Sequence, residues 1–210
     1  MILHGYWRSG TSYRTRIALN LKGLSYDQVA VDLRLGQQGD EAYLALNPQG
    51  LVPALVTDAG DVLSQSPAIL EWLEETYPEP PLLPLDAVSR AHVRTMAAII
   101  GCDIHPLNNL RVLKAIKGLG ADEAASRDWT GRWINSGFAA LERLVVTHGQ
   151  GWCFGETPTL ADCYLLPQLY SARRFEVDLS AYPRLLAIEE VARLHPAFAE
   201  AHPDRQPDAD

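Results

Sequence analysis

Arg8, Ser9, Gly10 and Thr11 follow a short apolar run, and a helical pattern opens directly behind them in "WRSGTSYRTRIALNLKG". Small hydroxyl residues and glycine at the head of a helix suit an anion, because the first-turn amides lack partners and the dipole is positive there. A carboxylate or a thiolate fits that chemistry. The plainer alternative is a strand, a polar turn and an amphipathic helix. A second constellation is "LVPAL", where Pro53 interrupts a strand pattern. Proline in a strand marks an edge or a bulge; a cis Val52–Pro53 peptide would instead turn the Val52 N–H and C=O towards an extended peptide. A third is "QSPAI", which sets Gln65 and Ser66 at a helix start, either as a plain cap or as a seat for a carboxylate. Taken together, the three describe an extended peptide ligand. Its acid end lies at Gln65–Ser66 and its reactive end near Ser9.

The elements that must position these residues change character along the chain. Ile2–Trp7 reads as a strand, 12–23 as a helix stopped at Gly23, "YDQVAVDL" as a strand and "DEAYLALNP" as a short helix. "LVPALV" and "DVLS" form a hairpin across Ala59-Gly60-Asp61, and "SPAILEWLEETYP" is a helix beginning at Ser66 with Pro67 at its first turn. The order is β-α-β-α-β-β-α. Tyr77–Asp86 holds four prolines and reads as a linker. Beyond it every segment has helical period: a long pattern broken at Gly101 and Pro106, a helix with Trp129, Trp133 and Phe138 as core, "TLAD" as a capping box opening a central helix, and a last helix before a polar tail. The expected domains are residues 1–80, a linker at 81–86 and an all-helical domain at 87–210.

Composition narrows the function classes. The chain of 210 residues carries a formal charge of -8, which argues against a nucleic-acid partner. No apolar stretch is long enough to span a membrane, and no secretory leader is visible. Cys102, Cys153 and Cys163 are odd in number and unpaired in spacing, which suits free thiols in a reducing, cytoplasmic compartment. Cys102 and Cys163 stand in apolar contexts and are expected to be buried. The six histidines show no metal-ligand spacing. Arg14 and Arg16 read as surface ion pairs. Of Arg173 and Arg174, which cannot share a helix face, one is expected to face solvent.

The motifs "YWRSGTSYRTRIALNLKG", "LNPQGLVPAL", "QSPAILEWLEETYP", "CDIHPLNNLRVL", "TLADCYLLPQ" and "ARRFEVDLSAYP" resemble the zeta class of glutathione transferases, the maleylacetoacetate and maleylpyruvate isomerases. The resemblance runs over essentially the whole chain. It implies a thioredoxin-like α/β domain followed by an all-α helical bundle, glutathione as cofactor, a small dicarboxylate substrate and a homodimer. The catalytic hydroxyl of the family falls on Ser9, supported by Arg8 and Thr11. Gly10 and Thr11 stand where the family has Ser-Cys, a departure that leaves glutathione as the one thiol needed. Glutathione contacts carried over are Ser9, Gly10, Thr11, Gln38, Val52, Pro53, Gln65, Ser66, Asp103, His105 and Asn109. Substrate carboxylates fall to Arg8, Arg111 and Arg174, with His105 and Asn109 nearby. The implied reaction is cis-trans isomerisation: a thiolate adds to a conjugated double bond, the bond rotates, and the thiolate leaves. Two other functions stay open on the same scaffold, a general transferase or dehalogenase and a non-catalytic partner-binding protein. The missing motif cysteine disfavours a disulfide oxidoreductase.

Overall fold

The computed structural model describes residues 1–209. They divide into two compact units, one formed by Met1–Leu82 together with the chain from Arg193 onward, the other by Leu83–Ala192.

In the first unit β1 (Ile2–Gly5), α1 (Gly10–Leu21), β2 (Asp27–Ala30), α2 (Glu41–Leu46), β3 (Ala54–Val56), β4 (Val62–Ser64) and α3 (Ser66–Thr76) follow the expected order. The sheet runs β2-β1-β3-β4, with β1 parallel to β2 and antiparallel to β3, and β3 paired to β4 as a hairpin. Leu3 stands opposite Leu55 and both are buried, so the two central strands share an apolar face. Strand β1 stops at Gly5, two residues before the expected end, and the chain turns there; a Cβ at Gly5 would lie 3.0 Å from Ser12 Oγ. The first helix closes as its Gly23 predicted. Gly23 sits at φ 66°, its amide bonds Asn20 O, and Leu24 N reaches back to Leu19 O.

Helix α1 has no wet face over Ser12–Leu19, eight consecutive buried residues. Arg14 and Arg16 are therefore not surface ion pairs. Arg16 is 1% exposed and donates from Nε to Ala201 O (3.0 Å) and from Nη2 to Trp7 O (2.9 Å). Buried donors need such acceptors, and backbone carbonyls supply them. The end of the chain is likewise not a polar tail on the helical domain. Its short α9 (Pro196–Ala201) packs on α1, with Phe198 and Ala201 buried and Asn20 Nδ2 bonded to Ala197 O at 3.0 Å. Ala197, Phe198, Ala201 and Pro203 are buried in a segment whose composition is otherwise hydrophilic.

The second unit holds α4 (Ala87–Ala98), α5 (Leu110–Gly118), α6 (Glu123–His148), α7 (Leu160–Arg174) and most of α8 (Pro183–Leu194). Helix α7 is central: Leu160 through Leu169 are all buried. Its capping box is formed, the Asp162 carboxylate accepting from Thr159 N, Thr159 Oγ1 and Cys153 N at 2.8 Å each. Burial pushes the Asp162 pKa up, and these donors pull it back. Phe138 is fully buried, whereas Trp129 and Trp133 are half-buried, the Trp129 indole donating to Leu107 O at 2.9 Å.

The break expected at Gly101 and Pro106 is a π-turn over Ile99–Ile104, followed by a 3-10 turn at Pro106–Asn108. A π-turn inserts a residue and rotates the downstream side chains out of phase. Cys102 is consequently exposed, not buried as its apolar neighbours suggested, while Cys163 and Cys153 are buried; all three are free thiols. Gly101 and Gly137 hold the turn in place. A Cβ on Gly101 would lie 2.8 Å from Tyr164, and one on Gly137 would lie 2.4 Å from Ile104 Cδ1. Gly137→Ala should therefore lower thermal stability by about 1–2 kcal/mol, overpacking outweighing the gain in helix propensity. Gly131→Ala, on the same helix with open space around it, should raise stability by about 0.5 kcal/mol. Two thermal melts of opposite sign test this packing.

Candidate active site

The N-cap of α1 is Ser9, with extended backbone and Oγ accepting from Ser12 N at 3.3 Å. The cap leaves the Gly10 and Thr11 amides as donors at the open end of the helix. Ser9 Oγ lies 2.9 Å from Thr11 Oγ1, and Thr11 Oγ1 donates to the Val52 carbonyl, also at 2.9 Å. Thr11 has one hydroxyl hydrogen, so Ser9 is the donor in the Ser9–Thr11 pair. Ser9 thus carries a mobile proton at a helix N-terminus, held by a neighbour that gives its own proton to a backbone oxygen. Beside it, the Arg8 guanidinium lies 5.2 Å from the Trp7 ring centroid.

The Val52–Pro53 peptide is cis, as one reading of "LVPAL" required. The Val52 carbonyl accepts from Thr11 Oγ1 with one of its two lone pairs.

At the start of α3, Gln65 is the N-cap and Ser66 the first helical residue, where the sequence placed the helix start, so that Pro67 is the second helical residue and not the first. Gln65 has φ 66° and its side chain is bonded to Gln49. Ser66 is 2% exposed, and its Oγ accepts from Arg14 Nη1 at 3.1 Å. Sequence reasoning missed Arg14. A buried guanidinium held against Ser66 adds a fixed positive charge to the dipole of α3, and together they favour a carboxylate. In the chain before α2, Gln38 has a buried Oε1 with no hydrogen-bond partner among the described residues, an acceptor open to a ligand donor.

Within the helical unit, Asp103, His105, Asn109 and Arg111 follow one another from the π-turn to the first turn of α5. Asn109 caps α5, accepting from Arg111 N at 3.1 Å, while Asp103 and Arg111 are exposed. At the end of α7 both arginines are exposed, not one alone. Arg173 is tied to Glu189 by an ion pair, and the Arg174 guanidinium rests about 6 Å from the Tyr170 and Phe175 rings. No metal-binding cluster occurs among the described residues, and no helix there is long and apolar enough to cross a membrane.

The fold and its donor set define a class. Residues 8–76 match the N-terminal and 123–188 the C-terminal domain of glutathione S-transferase, and the chain belongs to that family. Within it, the chain is 55% identical to a maleylpyruvate isomerase of Ralstonia sp over 212 residues, covering all of both chains. It is 54% identical to a maleylacetoacetate isomerase of Pseudomonas aeruginosa over 210 residues, covering 99% of this chain and 98% of that one. A solved maleylpyruvate isomerase, described as a bacterial zeta-class glutathione transferase, superposes with a TM-score of 0.97 at 54% identity over the full length of both.

Proposed function

We propose that the chain isomerises a cis-olefinic dicarboxylate, maleylpyruvate or maleylacetoacetate, to its trans form with glutathione as cofactor. The observation that carries this reading is the Ser9 proton at the head of α1, with two first-turn amides beside it. The donor set fits the tripeptide: hydroxyl and amide donors for a thiolate, the Ser66–Arg14 pair at the α3 N-terminus for a carboxylate, and the Gln38 acceptor for an amide. Glutathione bound there would supply a nucleophilic sulfur for reversible addition to the conjugated double bond, whose electron pair passes to the neighbouring carbonyl, leaves a single bond free to rotate, and returns as the sulfur is expelled.

The rest falls to the protein. Ser9 turns its proton from Thr11 to the sulfur, which lowers a thiol pKa from about 8.5 towards neutrality; two units cost about 2.7 kcal/mol, close to what one charge-assisted hydrogen bond supplies. Gly10 and Thr11 amides reinforce that anion. Val52, Pro53 and Gln65 hold the extended peptide, and Asp103, His105 and Asn109 complete its contacts. Arg8, Arg111 and Arg174 grip the carboxylates of the substrate, for which the planar guanidinium fork is the better shape. The working form is a homodimer in the cytoplasm, in keeping with the zeta-class likeness and with three free thiols. Its smaller unit is thioredoxin-like, a reading its β-α-β and hairpin order supports.

Isomerisation of each of the two substrates, with and without glutathione, tests the proposal; turnover independent of the tripeptide would overturn it. Arg174→Ala should raise KM for the dicarboxylate by about tenfold, the worth of one charge-assisted contact, and leave KM for glutathione unchanged. Equal effects on both constants would remove Arg174 from the substrate side.

A further inference from the structure

Trp7 is held by its peptide groups from two directions, once by the chain beyond Arg193 and once by an α1 side chain that is itself bonded to that chain. Its N–H donates to Asp208 Oδ2 at 2.9 Å. Its C=O accepts from Arg16 Nη2 at 2.9 Å, and the same guanidinium fixes Ala201 O through Nε at 3.0 Å. The segment carrying Asp208 is itself locked. Gln206, 6% exposed, donates from Nε2 to Glu200 O and His202 O at 2.8 Å each and accepts from Gln28 Nε2 at 3.0 Å. Asp208 is half-buried and lines a cleft of about 210 Å³ together with Gly5, Gln28–Ala30 and Pro207, so it can be replaced without opening a hole in the core.

Ser9 lies two residues from Trp7. Inside the turn that carries it, one backbone bond, Ser9 N to Tyr6 O at 3.0 Å, closes the loop. We infer that Asp208 and Arg16 are positioning residues that clamp the Trp7 peptide and thereby aim the Ser9 hydroxyl and the first amides of α1 at the glutathione sulfur. This rests on the proposed role of Ser9. Small displacements of a donor from its acceptor cost rate steeply, so a clamp one turn away from the chemistry has a kinetic signature. The pairing also assigns the C-terminal segment to the thiolate centre and not to the helical unit that precedes it in sequence.

The test uses the full chain with Asp208→Ala, Asp208→Asn and Ser9→Ala. Three quantities are read: amide exchange of the peptide spanning Trp7–Thr11, the ultraviolet thiolate titration of bound glutathione, and kcat against KM. Asp208→Ala should speed exchange and raise the apparent thiol pKa by about half a unit. It should lower kcat at neutral pH about fivefold, with KM for the dicarboxylate unmoved. Asp208→Asn keeps an acceptor for the Trp7 amide and should restore all three. Faster exchange with an unchanged titration and unchanged kcat overturns the clamp, since the segment is then merely structural. If Ser9→Ala moves the titration and Asp208→Ala does not, the clamp falls and the role of Ser9 stands. If Asp208→Ala moves it and Ser9→Ala does not, Ser9 is not the donor and the clamp stands as aiming the Gly10 and Thr11 amides. If neither moves it, both fall.

Discussion

Ser9→Ala should reduce isomerase turnover by about a hundredfold, the range found when one preorganised donor to a developing or resident anion is removed. Glutathione affinity should change little, because the peptide's remaining contacts are untouched. The bound thiol should titrate at higher pH, so the pH profile of kcat should move upward and the loss should shrink in alkaline solution. Ser9 has a second job as the N-cap of α1, and alanine at that place costs about 1 kcal/mol. Ser9→Gly separates the two roles. Glycine caps nearly as well as serine but carries no hydroxyl. The expected outcome is a glycine variant almost as stable as the parent and as slow as the alanine variant. Stopped assays, a thermal melt and the thiolate titration decide it; full turnover in either variant would transfer the thiolate to the backbone amides of Gly10 and Thr11.

Most of the framework that brings Ser9 there was legible in residue order. Period-two runs, the Gly23 stop, the Ala59-Gly60-Asp61 turn and "TLAD" are local signals, and local hydrogen bonds satisfy them. Pro53 within a strand pattern narrowed its peptide to two geometries, of which the cis one is present. What was not legible depends on partners distant in sequence. Arg14 and Arg16 look like the wet side of an amphipathic helix, because periodicity assumes that one face meets water. Helix α1 is enclosed instead: Arg14 reaches Ser66, 52 residues away, and Arg16 reaches Trp7 O and Ala201 O, 9 and 185 residues away. Cys102 was misplaced for a different reason. The phase of α4 does not carry through a π-turn, and nothing in "IIGCDI" announces the extra residue. The boundary beyond Arg193 was hidden by composition, since a hydrophilic stretch docks through Phe198, Ala201 and Gln206.

The largest expected loss of stability lies at another pair that sequence did not connect. Lys22 Nζ is bonded to Glu74 Oε2 at 2.6 Å and to Pro80 O at 2.8 Å, and the same carboxylate oxygen accepts from Leu82 N at 2.9 Å. Their side chains are 0% and 6% exposed. The pair joins α1 to α3 and pins the proline-rich stretch behind α3 to both. Removing one member of a buried pair strands the other charge, which costs about 3–5 kcal/mol, a large share of the roughly 5–15 kcal/mol that holds a protein folded. Glu74→Ala should therefore lower the melting temperature by about 10 °C for a chain of this size and shift the urea midpoint at constant slope. Lys22→Met should do nearly as much. Lys22→Met with Glu74→Leu should recover most of the loss, because two apolar side chains neither desolvate a charge nor leave one unpaired. A double-mutant cycle measures that coupling directly. The Pro80 carbonyl and Leu82 amide lose their partners even in the double variant, so exchange at Leu82 should stay fast although global stability returns. Single variants as stable as the parent would mean that water reaches the pair and that the stretch after α3 is held by its apolar residues, Leu82 and Leu83, instead.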